Sequence, residues 1–566
     1  MPQVVFRSHD ISVDVSEGAL LLDAVRIARI RMETPCNGGG TCGKCKVKLD
    51  DEALRQVRRV ETKVLTAEEL GNGWATLCAT LVDGDIALDL PGASERGLRI
   101  LEEGQRLDLP LEPWIEKRFR REGYATEVYG GSKLLGKDAG DTTARTYGVA
   151  VDIGTTTVVA SIVDLGTGSQ VGSVSSLNPQ VVHAQDVLSR VKLASTAEGL
   201  ALLHGEIATE IDRMIGLLAF EARISRRRIY EVVLAGNTCM LHLAANVSPE
   251  PLGRYPYTPA LTGGQHLPAK ALGLTISQFG AVYVPPVISG FVGADITAGM
   301  LSTNLAELSG VTLFVDIGTN GEMALARNGH LQATSTAAGP AFEGMNIACG
   351  MRAAEGAIER VSLEGGVVQI KTISDAPAAG LCGSGLLDAV AELAVHGVIE
   401  SSGRFTKDRS RLPQRLQAQF AARDGKPIFR LTENVYLSQG DIRQVQLAKG
   451  AVRAGIDILL QRNGLSPADV DRALIAGSFG YHLTVRSLID IGLFPPEFAG
   501  KVHYVGNTSR TGAETLLANV PSREALARVV EGVDSVELAN DGNFEKTFVS
   551  ALAFPQPARA PLKEVA

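Results

Sequence analysis

Aromatic side chains make up only 5% of this 566-residue chain, with two tryptophans, and no stretch approaches the ~18 consecutive apolar residues that a membrane helix requires. The opening residues, MPQVVFRSHDISVDV, alternate polar and apolar side chains without the charged-then-apolar layout of a signal peptide, so the chain is expected in the cytoplasm, with no membrane partner. It contains no strongly basic run and carries a net charge of −8, which argues against nucleic acid as a partner. Cysteine is scarce: there are seven, and none follows Cys382. In a reducing compartment the N-terminal four, Cys36, Cys42, Cys45 and Cys78, read as metal ligands rather than disulfides. Cys239, Cys349 and Cys382 stand in apolar or glycine-rich context and read as small buried residues. What is present, 45% hydrophobic and 21% charged residues, is the composition of a globular protein long enough for about three or four domains.

In residues 1–92, Val4–Phe6 and Ile11–Val15 alternate as short strands, Gly18 supplies a turn, and Ala19–Ile30 carries apolar residues at helical spacing. Cys36, Cys42 and Cys45 then share one loop with Gly38, Gly39, Gly40 and Gly43. Strands follow at Lys46–Leu49 and Ile86–Leu90, with Cys78 between them. Small residues let a loop wrap a cluster closely with its N–H groups aimed at the sulfides, and C-x5-C-x2-C with a distant fourth cysteine is one residue longer than the plant-type [2Fe–2S] pattern. Tetrahedral zinc would also accept four cysteines, but zinc sites usually present two C-x2-C-like pairs, whereas here three candidates share one loop. Gly38-x4-Gly43-Lys44-Cys45 imitates a phosphate-binding loop, yet its last position lacks the Ser or Thr hydroxyl that magnesium needs.

Residues 93–146 turn rich in Glu and Arg, with Pro110, Pro113, Gly130 and Gly131, and are expected to form a linker module with short helices. Trp114 reads as an apolar anchor for that module. Beyond it, Tyr147 to Thr157 is a buried strand running into Asp152-Ile-Gly154-Thr155-Thr156-Thr157, and Thr312 to Glu322 repeats the phrase as Asp316-Ile-Gly318-Thr319-Asn320-Gly321-Glu322. Each copy is followed by alternating strands and later by a strand ending in Ala-Gly, at Gly236 and Gly477, so the chain holds a duplicated α/β unit in two facing lobes, 147–308 and 309–566. Glycine admits the backbone to phosphate oxygens, Thr hydroxyls and N–H groups donate to them, and an Asp at the strand end holds Mg2+ through water or positions the attacking water. Asp152 and Asp316, with Glu322, are the candidate catalytic residues. Gly154, Thr155, Thr156, Thr157, Gly318, Thr319 and Asn320 are the candidate contacts to ATP.

The two phosphate phrases resemble those of the fold shared by actin, the Hsp70 chaperones and the acetate and sugar kinases. That resemblance implies an adenosine-binding Gly pair after a late strand, here Gly477-Ser478-Phe479-Gly480, with Cys382-Gly383-Ser384-Gly385 as a second candidate. The whole order is a ferredoxin-like C-x5-C-x2-C…C, a charged linker, DIGTTT, AGNTCMLHL, DIGTNGE, AAGPAFEG, CGSGLLD and AGSFG. It is similar to the reductive activators of corrinoid proteins, in the single-cluster form without a cysteine-rich tail. The fold implied is multidomain α/β: a β-grasp ferredoxin-like domain, a linker module and duplicated actin/Hsp70/acetate-sugar-kinase-like ATPase lobes. The activity implied is ATP-dependent reduction of a partner's Co(II) corrinoid to Co(I), for methyl transfer, by one electron from a [2Fe–2S] cluster. An external electron donor and a homodimer are implied as well. Plant-type clusters lie near about −400 mV, and each ~100 mV of deficit in a one-electron step costs ~2.3 kcal/mol, a reason to consume ATP. No Asp-x-His-x-x-Gly phrase is present, so the corrinoid belongs to the partner. Other readings of the same residues are an activator of a different low-potential enzyme, a small-molecule kinase, and a chaperone-like ATPase with a regulatory iron–sulfur domain.

Overall fold

The computed structural model describes residues 1–28, 30, 32, 38, 40, 43–60, 64–90, 107, 109–477 and 483–555. Near the N-terminus, β1 (Gln3–Phe6) pairs antiparallel with β2 (Ile11–Asp14), and α1 (Leu21–Ile27) buries Leu21, Leu22, Ala24 and Val25. β3 (Lys46–Lys48) pairs antiparallel with β4 (Trp74–Thr76), and β5 (Ile86–Leu88) runs parallel to β1. Val4, Phe6, Leu21, Val47, Leu77, Ile86 and their neighbours form a core drawn entirely from this N-terminal part.

Of the charged stretch that follows, residues 93–106 and 108 lie outside the described residues, and the described part is a sheet and not the short helices anticipated from its Glu and Arg content. β6 (Ile115–Arg120), β7 (Ala125–Gly130) and β8 (Lys133–Ala139) make a three-stranded antiparallel meander. The reason is period two: in β7 Thr126, Val128 and Gly130 point inward while Ala125, Glu127 and Tyr129 reach outward, and Lys117 of β6 and Asp138 of β8, which turn inward, are met by the Tyr230 ring and hydroxyl. Trp114 stacks on the His266 ring with centroids 3.9 Å apart, and Gly130 leaves room for the indole, since a Cβ there would lie 2.4 Å from it. The meander is thereby fixed to the first lobe.

The first lobe is a six-stranded sheet. β9 (Tyr147–Ile153), β10 (Thr157–Asp164) and β11 (Gln170–Leu177) form an antiparallel meander, with β12 (Ile229–Gly236), β14 (Ala281–Val284) and β13 (Gln265–Pro268) on the other side of β9. β12 and β14 run parallel to β9, and α3 (Ala197–Glu221), capped by Thr196, covers one face. The second lobe repeats the plan. β15 (Val311–Ile317), β16 (Gly321–Arg327) and β17 (His330–Thr336) are antiparallel, β18 (Arg472–Ala476) and β19 (Val502–Gly506) are parallel to β15, and β20 (Val533–Ser535) closes the far edge. Meander strands three, two and one followed by two parallel strands occur in both sheets, the structural counterpart of the repeated phrase.

Two helices are exchanged across the middle. α5 (Ala294–Ser302) follows the first sheet in sequence but contributes Ile296 and Met300 to a core with Phe314 and Leu474 of the second. α8 (Thr508–Ala518) follows the second sheet but buries Ala513, Leu516 and Leu517 against Ala150, Tyr230 and Val233 of the first. The pair crosses closely, because Gly512 sits where any Cβ would lie 2.1 Å from the Ala298 carbonyl oxygen. Among the described residues, no helix is long and apolar enough to cross a membrane.

Candidate functional site

Both Asp-Ile-Gly-Thr turns open at the same end of their sheets and face each other. Asp152, Gly154, Thr155, Thr156 and Thr157 line one wall of a cleft, and Asp316, Gly318, Thr319, Asn320, Glu322 and Gly477 line the other. The Thr156 and Thr319 hydroxyls are 3.5 Å apart across it. Ser478 and Gly480 lie outside the described residues. The alternative glycine motif also reaches the cleft, since Cys382, Gly383 and Ser384 line it at the start of α6 (Gly383–Val395).

The first turn is held from beneath. Arg190, on α2 (Val187–Leu193), is fully buried. It donates from Nη2 to the Thr155 carbonyl, from Nη1 to Gln180 Oε1 at 3.0 Å and from Nε to the Ala184 carbonyl at 3.0 Å. Burial pulls its guanidinium down to about 10. Asn178 Nδ2 donates to the Gly154 carbonyl at 2.8 Å and Asn237 Nδ2 to Thr155 Oγ1 at 3.0 Å. The second turn is braced by its own backbone, Gly318 N–H to the Asn320 carbonyl at 3.0 Å, and by Thr319 Oγ1 donating to Glu343 Oε1 at 2.5 Å. Gly477 adopts φ 100°, and a Cβ there would lie 2.7 Å from Asp316 Oδ1, so only glycine lets the late strand end against the carboxylate.

The acidic groups come from four places. Asp152 accepts from Asn507 Nδ2 at 3.0 Å and Ser509 Oγ at 2.7 Å, both at the start of α8, which ties the second half of the sequence to the first turn. Asp295, at the start of α5, Asp316 with Glu322 at the second turn, and Glu343 beside Thr319 complete the set. Burial, reinforced by Asp295 and Asp152, pushes the Asp316 carboxyl up to about 8. Burial and Asp152 push Asp295 up to about 7. Burial, then Asp295 and Asp316, hold Glu322 well above the ordinary carboxylate range, and burial raises Asp152 against the pull of Ser509 and Asn507. So many enclosed carboxyls ionise together only beside a cation. Among the described residues no three His, Cys, Asp or Glu side chains close around one point as a complete inner shell. Carboxylate oxygens are the donors that Mg2+ takes.

Asp295, Glu343, Arg352 and Ser509 line the cleft without having been singled out by the sequence reading. Glu343 stands within the quoted phrase AAGPAFEG, and Asp295 left a trace in Gly293-Ala294-Asp295-Ile296-Thr297, a glycine-led entry to an apolar helix.

Of the four N-terminal cysteines, Cys36 and Cys42 lie outside the described residues. Cys45 and Cys78 are buried with their sulfurs 3.3 Å apart, though 33 positions separate them in sequence. The pairing of β3 with β4 brings them together: Lys46 stands opposite Thr76, and the Leu77 N–H donates to the Cys45 carbonyl at 3.0 Å. The Cys45 thiol lowers its neighbour Cys78 to about 6, against the effect of burial. Gly38, Gly40 and Gly43 all adopt left-handed φ, between 67° and 82°, and a Cβ at Gly38 would lie 4.0 Å from that of Cys78. Two convergent thiols beside such glycines fit an iron–sulfur cluster, which supplies one-electron chemistry when bound.

Residues 5–83 match the 2Fe-2S iron-sulfur cluster binding domain, residues 147–308 the RACo middle region, and residues 310–566 the C-terminal domain of RACo, the ASKHA domain. A solved structure of a reductive activator for a corrinoid,iron-sulfur protein is similar over 98% of this chain and 99% of its own, at 31% identity and a TM-score of 0.72. The corrinoid activation enzyme RamQ of Eubacterium limosum is 28% identical over 98% of this chain and 99% of that protein. The Co(II) methylated amine-specific corrinoid protein reductase of Methanosarcina barkeri is 27% identical over 72% of this chain and 77% of that protein. With its ferredoxin domain, middle region and ASKHA domain in the same order along nearly the whole length, the chain belongs to the family of reductive activators of corrinoid proteins.

Proposed function

We propose that this protein is an ATP-dependent reductive activase: it passes one electron from a [2Fe–2S] cluster held by Cys36, Cys42, Cys45 and Cys78 to the Co(II) corrinoid of a partner protein, restoring Co(I) for methyl transfer. The observation that carries the reading is the facing of the two Thr-bearing turns, Thr156 to Thr319 at 3.5 Å, above a floor of carboxyls. Two strand-end glycine turns on separate sheets can grip one triphosphate from both sides, so that ATP draws the lobes together and its hydrolysis lets them part. In this reading Gly154, Thr155, Thr156, Thr157, Gly318, Thr319 and Asn320 contact the phosphates, and Gly477, Ser478 and Gly480 the adenosine. Asp152, Asp316 and Glu322, with Asp295, would hold Mg2+, which would offset the phosphate charge, or would position the attacking water. An external donor recharges the cluster, and the protein works in the cytoplasm as a homodimer. The domain division that goes with this is 1–92, 93–146, 147–308 and 309–566.

The test is to mix the reduced protein anaerobically with a Co(II) corrinoid protein and follow Co(I) absorbance with and without Mg-ATP. An ATP-dependent rise is expected, and its absence with every methyltransferase corrinoid partner would falsify the assignment. Cys42→Ser is expected to abolish reduction while leaving nucleotide binding, and Asp316→Ala to leave the cluster spectrum while removing the ATP effect. Loss of both properties in each variant would contradict a two-module machine.

A further inference from the structure

Lys44 stands immediately before Cys45, yet its ammonium leaves the ferredoxin domain. It donates to two carbonyls of the second lobe, Gly350 at 2.9 Å and Ala348 at 3.3 Å. The receiving segment is firmly anchored. The Ala348 N–H donates to Asp441 Oδ1 at 2.7 Å, in the first turn of α7 (Gln439–Arg462), and the Met351 N–H to the Leu381 carbonyl at 2.8 Å. Gly350 packs so tightly that a Cβ there would lie 2.0 Å from the Gly344 carbonyl oxygen. Two residues beyond Gly350 the segment delivers Arg352 into the nucleotide cleft, with Nε and Nη2 buried. Among the described residues, Arg352 is the one cation on the cleft wall, set against five carboxylic acids. A planar guanidinium fork matches phosphate geometry better than any other side chain. From Arg352 to the carbonyls that hold Lys44 is a span of two to four residues, within ~14 Å of fully extended chain. The ferredoxin domain also has a hold on the other lobe, through Arg26 Nε to the Val182 carbonyl at 3.2 Å.

We propose that Arg352 takes the terminal phosphate of the nucleotide, and that its engagement is passed along 348–352 to Lys44, so that nucleotide state sets how Lys44 and the adjoining Cys45 sit on the second lobe. The idea rests on the reading of the cleft as an ATP site and adds a route from that site to the cluster. A segment that is pinned at Ala348 and Met351 and carries a phosphate ligand at one end moves as a unit. Because Lys44 is held by that unit and Arg26 by the opposite lobe, relative motion of the lobes must strain one of the two contacts.

The experiment is hydrogen–deuterium exchange on the full-length, iron-loaded protein with no nucleotide, with Mg-ADP and with a non-hydrolysable Mg-ATP analogue, reading peptides over 43–49 and 344–353, together with the two nucleotide affinities. The analogue, and not ADP, is expected to change exchange in both peptides of the wild type. Arg352→Gln is expected to weaken the analogue about tenfold while holding ADP within about twofold, and to lose both changes. Arg352→Lys, which keeps the charge without the fork, is expected to fall between, at about threefold. Lys44→Gln is expected to keep the analogue's affinity and the change at 344–353 but to lose the change at 43–49. A Lys44→Gln protein with the full response at 43–49, or Arg352 variants that bind the analogue like wild type, would overturn the proposal. Wild-type binding without any response at 43–49 would overturn the coupling alone, and failure of the wild type to bind either nucleotide would bring down the ATP-site reading as well.

Discussion

Arg190 shows how much of the site depends on a side chain that never reaches its ligand. Its hydrogen bonds fix the Thr155, Ala184 and Gln180 oxygens and reach the Met240 sulfur at 2.9 Å, and replacing it by Met would take this donor from all three oxygens. Arg190→Met is expected to cost about 3 kcal/mol, read from the denaturant midpoint, and to weaken ATP binding through a slack first turn; unchanged affinity would show that the turn holds itself. Lys449 is a second buried cation, 1% exposed, donating to the Ala553 carbonyl beneath the Phe554 ring. Burial, then the neighbouring Arg453, pushes its ammonium down from 10.5 to about 7. Between those values the unfolded chain binds the extra proton, so stability rises with pH from about 7 towards 10, by at most about 1.4 kcal/mol per pH unit. Lys449→Met is expected to lose that slope; parallel midpoint curves for the two proteins would refute the assignment. Neither residue was legible in the sequence. Val187-Leu188-Ser189-Arg190-Val191-Lys192 reads like any helix with solvated charges, and which charge turns inward is decided by segments far away. The Asp-Ile-Gly-Thr residues were legible, because a strand-end Asp followed by glycine and threonine has few other uses and occurs twice.

At the scale of elements, the repeated sheets were readable from alternation, while the meander Ile115–Ala139 was not: charged side chains on its outer face mask the inward residues unless they are counted two by two. The exchanged helices were hidden for a different reason. Nothing local in Thr508–Ala518 says that it will pack on the sheet begun at Tyr147, and Gly512 looks like a flaw in a helix rather than a crossing point. The crossing makes a prediction about function at a distance. Gly512→Val would drive its side chain into the Ala298 carbonyl and push α8 off α5, carrying with it Asn507 and Ser509, which hold Asp152. A loss of about 3 kcal/mol in stability is expected, with ATP affinity falling further than for Gly205→Ala, an exposed glycine of α3 with open space around it. Equal affinities in the two variants would mean that Asp152 does not depend on the helix pair.

For the molecule as a whole, the division of cores decides what iron and nucleotide can each stabilise. Among the described residues the N-terminal core runs from Val4 to Leu90 and shares none with the clusters of the two lobes, to which the domain is joined by polar contacts from Lys44 and Arg26. A domain of that size buries too small a fraction of its surface to be secure without a staple, and a metal bound only by the folded loop adds its binding energy to folding. The lobes have large cores and, on the reading above, a ligand of their own that stabilises by about 2.7 kcal/mol at a hundredfold excess over Kd. Calorimetry of the iron-depleted chain is therefore expected to show an early transition that loading with iron moves upward, and a later one that Mg-ATP moves upward and iron leaves in place. One cooperative transition answering equally to iron and to nucleotide would mean that the Lys44 and Arg26 contacts weld the domain to the lobes, and the cluster could not then be carried by nucleotide-driven motion.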